Sequence, residues 1–435
     1  MTLLLSILAF NIIIIVHEFG HFIVAKLCKI QVLEFSLFFG PKIFSVQIGE
    51  TLYSLRTIPA LAYVRLEGEE EESDSERSFG KKSVLTRMAV IAAGPLANIL
   101  LATVLLMIII SFTGYETTKT GIVLEGSPAY EAGIRKGEIV KEYDNKAVYS
   151  SYDQMLFLVG SKGKEAQVKI ERGGKEQVLN IKPLVIPGDR LLLGFKAKET
   201  YGKDSNVVDS LMRSQPDKKN DLKPGDRIIR IDNQPISSMT DILNYLNSVN
   251  PESTLAVYVK RGVDNVQLNI KPFKDKGNAS YDIGMAFSSN VKGSFGDVVR
   301  EALKSTYSYT RISVYSMIYL FQGKFSFREV TGPVGMVAAM NEVVQHVPSF
   351  ADKILSLFNL MVFITIGLGI ANLLPIPPAD GSKLVLLTLE AVRRKPLPAE
   401  KERMVMAAGF VFMMILFVVV LCSDIFNIFT RFGVQ

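Results

Sequence analysis

Four apolar runs punctuate the chain, Leu3 to Ala25, Val84 to Phe112, Ile354 to Leu374 and Met404 to Ile428. Each reaches the roughly 20 residues that an α-helix needs to cross the hydrocarbon core of a bilayer. The pattern therefore predicts a multi-pass α-helical membrane protein with about four transmembrane helices. Between the first two runs, short alternating stretches around Gly49-Glu50 predict a membrane-associated β-hairpin over Phe44 to Leu55. Between the second and third lies a long charged block. Its last part, Phe295 to Phe321, mixes apolar residues at helical spacing with Lys and Arg, which suits an amphipathic helix on the membrane surface or one packed on soluble domains.

The charged block repeats itself at a spacing of 88 to 89 residues. Lys136-Gly137-Glu138-Ile139-Val140 corresponds to Pro224-Gly225-Asp226-Arg227-Ile228, Glu171-Arg172-Gly173 to Lys260-Arg261-Gly262, and Leu179-Asn180-Ile181-Lys182-Pro183 to Leu268-Asn269-Ile270-Lys271-Pro272. Three blocks at nearly constant spacing indicate two copies of one α+β domain. In each copy a Gly turn leads into a strand, an Asp-Asn pair, a helix and two more strands. That order resembles PDZ domains, which take an extended peptide as an added strand.

Composition fits this division, with 48% hydrophobic residues over 435 positions and a mean hydropathy of +0.25. Net charge is +6, but the basic residues follow topology and form no patch suited to nucleic acid. They concentrate between the first two runs, from Lys26 to Arg87, and between the last two, from Arg393 to Arg403. By the positive-inside rule both connections are cytoplasmic, and the repeat block lies on the other side. The first run lacks a preceding positive charge and a following small-residue cleavage site, so it reads as a retained span rather than a secretion signal. Cys28 and Cys422 lie at the ends of predicted spans and give no disulfide framework.

The first span carries the chemistry. His17-Glu18-Phe19-Gly20-His21 places two of the chain's three histidines four residues apart. A helix sets i and i+4 on one face, so both imidazoles can hold one metal while Glu18 stands beside it as a general base. Ionisable groups at membrane depth are costly and generally functional. A hydrolytic zinc site generally adds a third protein ligand and an open position for water. The end of the third span offers Asp380, in Asn372-Leu373-Leu374-Pro375-Ile376-Pro377-Pro378-Ala379-Asp380-Gly381, where prolines interrupt the helix and are expected to leave Asp380 in irregular backbone. Gly94 and Asn98 form a Gly-x-x-x-Asn pattern in the second span, suited to close helix packing or to a place beside substrate. His346 has no partner in sequence and reads as an interfacial or surface residue.

Together these motifs resemble the site-2 protease family of intramembrane zinc metalloproteases, in its bacterial sigma-E regulator branch. The resemblance runs over nearly the whole chain, through His17 to His21, Phe35 to Pro41, Glu76 to Phe79, Ala92 to Asn98, the paired PDZ-like domains, Thr331 to Gly335, and Asn372 to Gly381. It implies that His17, His21 and Asp380 bind Zn2+, that Glu18 is the catalytic base, and that Asn372 contacts the substrate backbone or oxyanion. The chain departs from the family in Ala60-Leu61-Ala62, where Gly-Gly commonly precedes Tyr-Val, and in Ala379 with the extra Pro378, where Leu is usual.

The resemblance further implies an inner-membrane enzyme of regulated intramembrane proteolysis, with its active site toward the cytoplasm. Its substrates would be single-span proteins already shortened by an upstream site-1-type protease, such as anti-sigma factors, and remnant signal peptides. The expected segments are 1–113 (membrane part with hairpin), 114–190 and 191–290 (PDZ-like domains), 291–350 (amphipathic helix and linker) and 351–435 (membrane part). The competing readings are a membrane-anchored PDZ scaffold with a structural or vestigial metal site, and a metal transporter, which would need polar residues continuing through the other spans.

Overall fold

The computed structural model describes residues 2–69, 73–186, 188–197, 205–211, 221–276, 279–322, 332–345, 347, 349–395 and 399–432. The chain forms two compact units, one of residues 1–115 with 290–435, the other of residues 116–289.

The first unit begins with α1 (Thr2–Leu27), followed by β1 (Val32–Ile48), β2 (Thr51–Leu66) and α2 (Val84–Thr113). The predicted hairpin is present, with Phe44 opposite Leu55 and Ile48 opposite Thr51, but it is only half of the sheet. Both strands bend, at Phe38 and Gly40 (φ 68° and 92°) and near Leu61 (φ 68°). Residues 34–37 consequently pair with 62–65 on one side and 52–55 on the other. A sheet that folds back on itself in this way satisfies backbone groups that hydrocarbon would leave unpaired.

The buried Glu34 pins this sheet. Its Oε1 accepts from Ser54 Oγ at 2.6 Å and Arg56 Nη2 at 2.9 Å, while Arg56 Nη1 donates to the Gly40 carbonyl at the bend. Burial alone would raise the Glu34 pKa, but the hydrogen bonds from Ser54 and Arg56 outweigh it and hold the group below its ordinary value. At the other extremity Glu50, in the tight turn, pairs with Lys26 at the end of α1 and with Arg77. Asn11 Nδ2, well inside α1, donates to the Pro59 carbonyl at 3.1 Å. Asn11 and Lys26 are about 22 Å apart at helical rise, so the sheet lies along the span. The expected membrane-associated hairpin is one end of this longer sheet. Phe39, Ile43, Phe44 and Ile58, around the bends, are exposed.

The second unit holds β3 (Thr120–Val123), α3 (Pro128–Glu131), β4 (Ile139–Tyr143), β5 (Lys146–Ala147), α4 (Ser151–Ser161), β6 (Ala166–Arg172), β7 (Lys175–Ile181), β8 (Leu184–Ile186), β9 (Asp189–Leu192), β10 (Phe195–Ala197) and β11 (Val208–Leu211). It continues with β12 (Arg227–Ile231), β13 (Gln234–Pro235), α5 (Met239–Leu246), β14 (Leu255–Arg261), β15 (Asp264–Ile270), β16 (Phe273–Lys276), β17 (Ser280–Asp282) and β18 (Met285–Phe287). The repeat is a structural one, since the sheets β5-β4-β6-β7 and β13-β12-β14-β15 have the same order. Equivalent acids make equivalent bonds. Glu138 pairs with Arg172 as Asp226 pairs with Arg261, and Asp144 accepts from the Gln167 amide as Asp232 accepts from that of Ala256.

The copies are not simply consecutive. β18 pairs with β3, β17 with β8, and β16 with β9. The closing strands at 280–287, expected within the 191–290 segment, thus complete the first copy and enclose the second.

The chain then returns to the first unit through α6 (Phe295–Phe321), α7 (Pro333–Gln345), α8 (Phe350–Asn372), α9 (Asp380–Arg393) and α10 (Ala399–Phe432). Among the described residues, four helices are long and apolar enough to cross a membrane: α1, α2, α8 and Met404–Cys422 within α10. α6 packs on two of them, with Tyr309 edge-on to Phe363 at 4.4 Å and Thr306 bonded to Thr103 at 3.0 Å. The expected linker after α6 contains the helix α7. Thr331 and His346 lie outside the described residues.

Candidate metal centre

Close packing of small residues brings the histidine-bearing face of α1 against α2. A Cβ added at Gly20 would stand 2.4 Å from the Ala93 carbonyl oxygen, and one at Gly94 would stand 2.3 Å from His21 Nε2 and 2.9 Å from His17 Cε1. Pro95 lies inside α2. Below the histidines, Ala25, Ile30, Val32, Leu66, Phe79, Val90, Ile91 and Leu387 form one core that joins α1, the sheet, α2 and α9.

Asp380 arrives from the other side. α8 stops at Asn372, the proline segment turns the chain, and Asp380 opens α9. The carboxylate therefore sits in the first turn of a helix rather than in irregular backbone. Gly381 is needed there, since a Cβ would meet the Leu373 carbonyl oxygen at 2.2 Å.

Asp380 Oδ2 lies 3.1 Å from His17 Nε2 and 3.5 Å from His21 Nε2, and the two imidazole nitrogens are 3.3 Å apart. His17, His21 and Asp380 can each offer one ligand atom, all within 4.8 Å of one another. Two imidazoles and one carboxylate suit Zn2+ with a position left for water. The fit is supported by Asp380 Oδ2, which is buried and, apart from those imidazoles, has no partner. His21 Nδ1 stands 2.8 Å from the Val90 carbonyl. A carbonyl only accepts, so this contact puts the proton on Nδ1 and leaves Nε2 free to ligate.

Glu18, Asn372 and the three ligand residues line one cavity of about 300 Å³, together with Val64, Leu66, Glu69 and Lys383. Asn372 Nδ2 is 3.2 Å from His17 Nε2. Among the described residues, no further strand pairs with the outer edge of 62–66. The edge at the cavity is thus 62–66, not the 44–55 hairpin, and Ala60-Leu61-Ala62 leads directly into it.

Gly94 and Asn98 are not among the residues that line this cavity. Gly94 is pressed on the histidines, and Asn98 is fully buried with Nδ2 3.2 Å from His17 Nδ1. Sequence reasoning missed Val64 and the pair Lys383–Glu69, joined at 2.6 Å across the cavity wall. The second has a sequence signal only once Asp380 is known to start a helix, which puts Lys383 one turn on.

An HExxH helix with a carboxylate from just beyond a distant span, held among membrane-length helices, defines a membrane metallohydrolase. The family model of peptidase family M50 matches residues 5–416. The chain therefore belongs to that family, the site-2 proteases, and is a zinc metalloprotease. Relatives match end to end. The regulator of sigma-W protease RasP of Bacillus subtilis is 28% identical over 98% of this chain and 99% of its own. Proteins provisionally named as zinc metalloproteases in Thermotoga maritima and in Neisseria meningitidis serogroup A are 27% and 28% identical, each over 98% of this chain and 99% and 98% of theirs.

Proposed function

We propose that this protein cuts the membrane-spanning segments of single-span proteins already shortened by an upstream site-1-type protease. Anti-sigma-factor-like regulators are the main class, with remnant signal peptides a second. The setting is the bacterial cytoplasmic membrane, with the active site toward the cytoplasm and the repeat unit outside. The observation that carries this reading is the free edge of 62–66 beside Glu18. A substrate helix has its carbonyls engaged, so it must unwind before attack. An added strand along Val64 would keep it extended, with its backbone directed at the ligand cluster.

The chemistry supplied by zinc when bound is Lewis acidity, which polarises a carbonyl and makes water acidic near neutral pH. Glu18 takes the proton of the attacking water and passes it to the leaving amine. His17, His21 and Asp380 hold the metal, and the Asn372 amide donates toward the carbonyl oxygen as it gains charge.

The two repeats, 114–190 and 191–290 with the closing strands returned to the first, act as PDZ-like filters for substrate. In each, a glycine with positive φ, Gly194 or Gly284, precedes a short strand, β10 or β18. Such a turn and strand suit capture of a new C-terminus.

The deciding experiment incubates purified protein in detergent with a one-span model substrate, comparing wild type, Glu18→Gln and chelator-treated protein. Cleavage should disappear in the last two. A Glu18→Gln protein that cuts at the wild-type rate would refute the mechanism.

A further inference from the structure

We propose that Asn98 is a positioning residue that fixes the tautomer of His17, doing for that ligand what the Val90 carbonyl does for His21. The inference rests on the zinc reading of the site and deepens it. Both histidines present Nε2 toward Asp380 Oδ2, so both must carry their proton on Nδ1 when they ligate. His21 has a backbone acceptor for that proton. For His17 the neighbour at Nδ1 is the Asn98 amide, 3.2 Å away.

As placed, Asn98 turns Nδ2 toward His17 and leaves Oδ1 buried without a partner. The two ends of an amide are nearly alike in shape, and their assignment follows from the hydrogen bonds they make. Exchanging them gives the orphaned oxygen a partner, since His17 Nδ1–H then donates to Oδ1. The alternative, with Nδ2 donating to Nδ1, forces the proton onto Nε2, where a ligand needs a lone pair. Only the oxygen-inward orientation is compatible with His17 as a ligand.

The rest of the fold holds Asn98 in reach. Its backbone carbonyl accepts from Thr365 Oγ1 at 3.3 Å, and a Cβ on Gly369 would lie 3.3 Å from its own Cβ. α8 thus packs against α2 at Asn98. The residue is completely shielded from solvent, which excludes direct contact with substrate and suits a bond that must not be lost to water.

The test compares wild type, Asn98→Leu and Asn98→Asp in detergent, first by zinc competition with a chromophoric chelator. Asn98→Leu should bind zinc about 10 to 100 times more weakly, the usual loss when such an outer partner is removed. Asn98→Asp retains an acceptor and should stay within a few-fold of wild type. Selective 15N-histidine labelling gives an independent readout, simplified by there being three histidines in the chain. In zinc-loaded wild type, and in Asn98→Asp, the His17 proton should reside on Nδ1. Wild-type zinc affinity in folded Asn98→Leu, or a His17 protonated on Nε2 in the loaded wild type, would overturn the assignment. Failure of wild type itself to bind zinc would instead remove the metal reading on which it stands.

Discussion

Gly94 and His21 meet so closely that the second span has no room for a side chain there, a Cβ falling 2.3 Å from Nε2. A Gly94→Ala protein must displace an imidazole or separate two packed helices. A displacement of about 1 Å at a reacting centre can cost about 100-fold in rate. Cleavage by Gly94→Ala should fall by at least that order, and zinc content should fall with it. Full zinc occupancy at the wild-type rate would show that the contact is not limiting.

Leu61 occupies the left-handed region at φ 68°, directly ahead of the edge strand. Such a conformation costs an L-residue about 1 to 2 kcal/mol, part of which a glycine forfeits through its freer unfolded chain. Leu61→Gly should therefore stabilise the first unit by about 0.5 to 1 kcal/mol, read as a higher unfolding midpoint in denaturant. Destabilisation would mean that the half-exposed leucyl side chain contributes more by contact than its backbone loses.

Hydrogen bonds from Arg77, then Lys26, hold the Glu50 carboxyl down to about 2. A depressed acid stabilises the fold fully above its unfolded pKa, near 4.5, and the contribution is lost as pH falls toward the folded value. Because the partners are partly exposed, the amount should be about 1 kcal/mol or less. Amide hydrogen exchange at the 46–53 turn should be faster in Glu50→Gln than in wild type above pH 5, the difference closing toward pH 2. A difference that grows as pH drops would contradict the ion-pair account.

Lys383 and Glu69 tie the helix that begins with Asp380 to the loop that follows the edge strand. Neither group is a ligand. Lys383→Met should loosen the edge against the metal centre and raise KM for a one-span substrate by about 3- to 10-fold with zinc content unchanged, consistent with loss of about 1 kcal/mol. Loss of zinc in this variant would instead assign the pair to holding Asp380.

What sequence revealed depended on how far apart the partners lie. His17, Glu18 and His21 are legible because helical periodicity alone aligns them, and Asp380 because prolines mark where the third span must stop. The 14-residue α9 is not legible behind those prolines, as its mixed face looks like a charged connection. The sheet is legible only at its tight turn, since nothing local says that residues 34–37 will pair with both 52–55 and 62–65. Asn98 sits in a pattern that small-residue packing already explains, and only its distance to His17 Nδ1 separates the roles. Likewise the repeats show in the sequence, while the return of β18 to β3 does not, because order along the chain assigns it to the nearer copy.

The first unit lets the chain out at Tyr115 and receives it again at Val291, and these two residues bond each other through both backbone amides, at 2.9 and 3.0 Å. The membrane part therefore closes its own circuit, and the 174 residues of the second unit, 116–289, act as a cassette. Loop closure depends only weakly on length once the ends are fixed. Such a cassette can change in length while the metal centre, held by the unit that closes on itself, keeps its geometry.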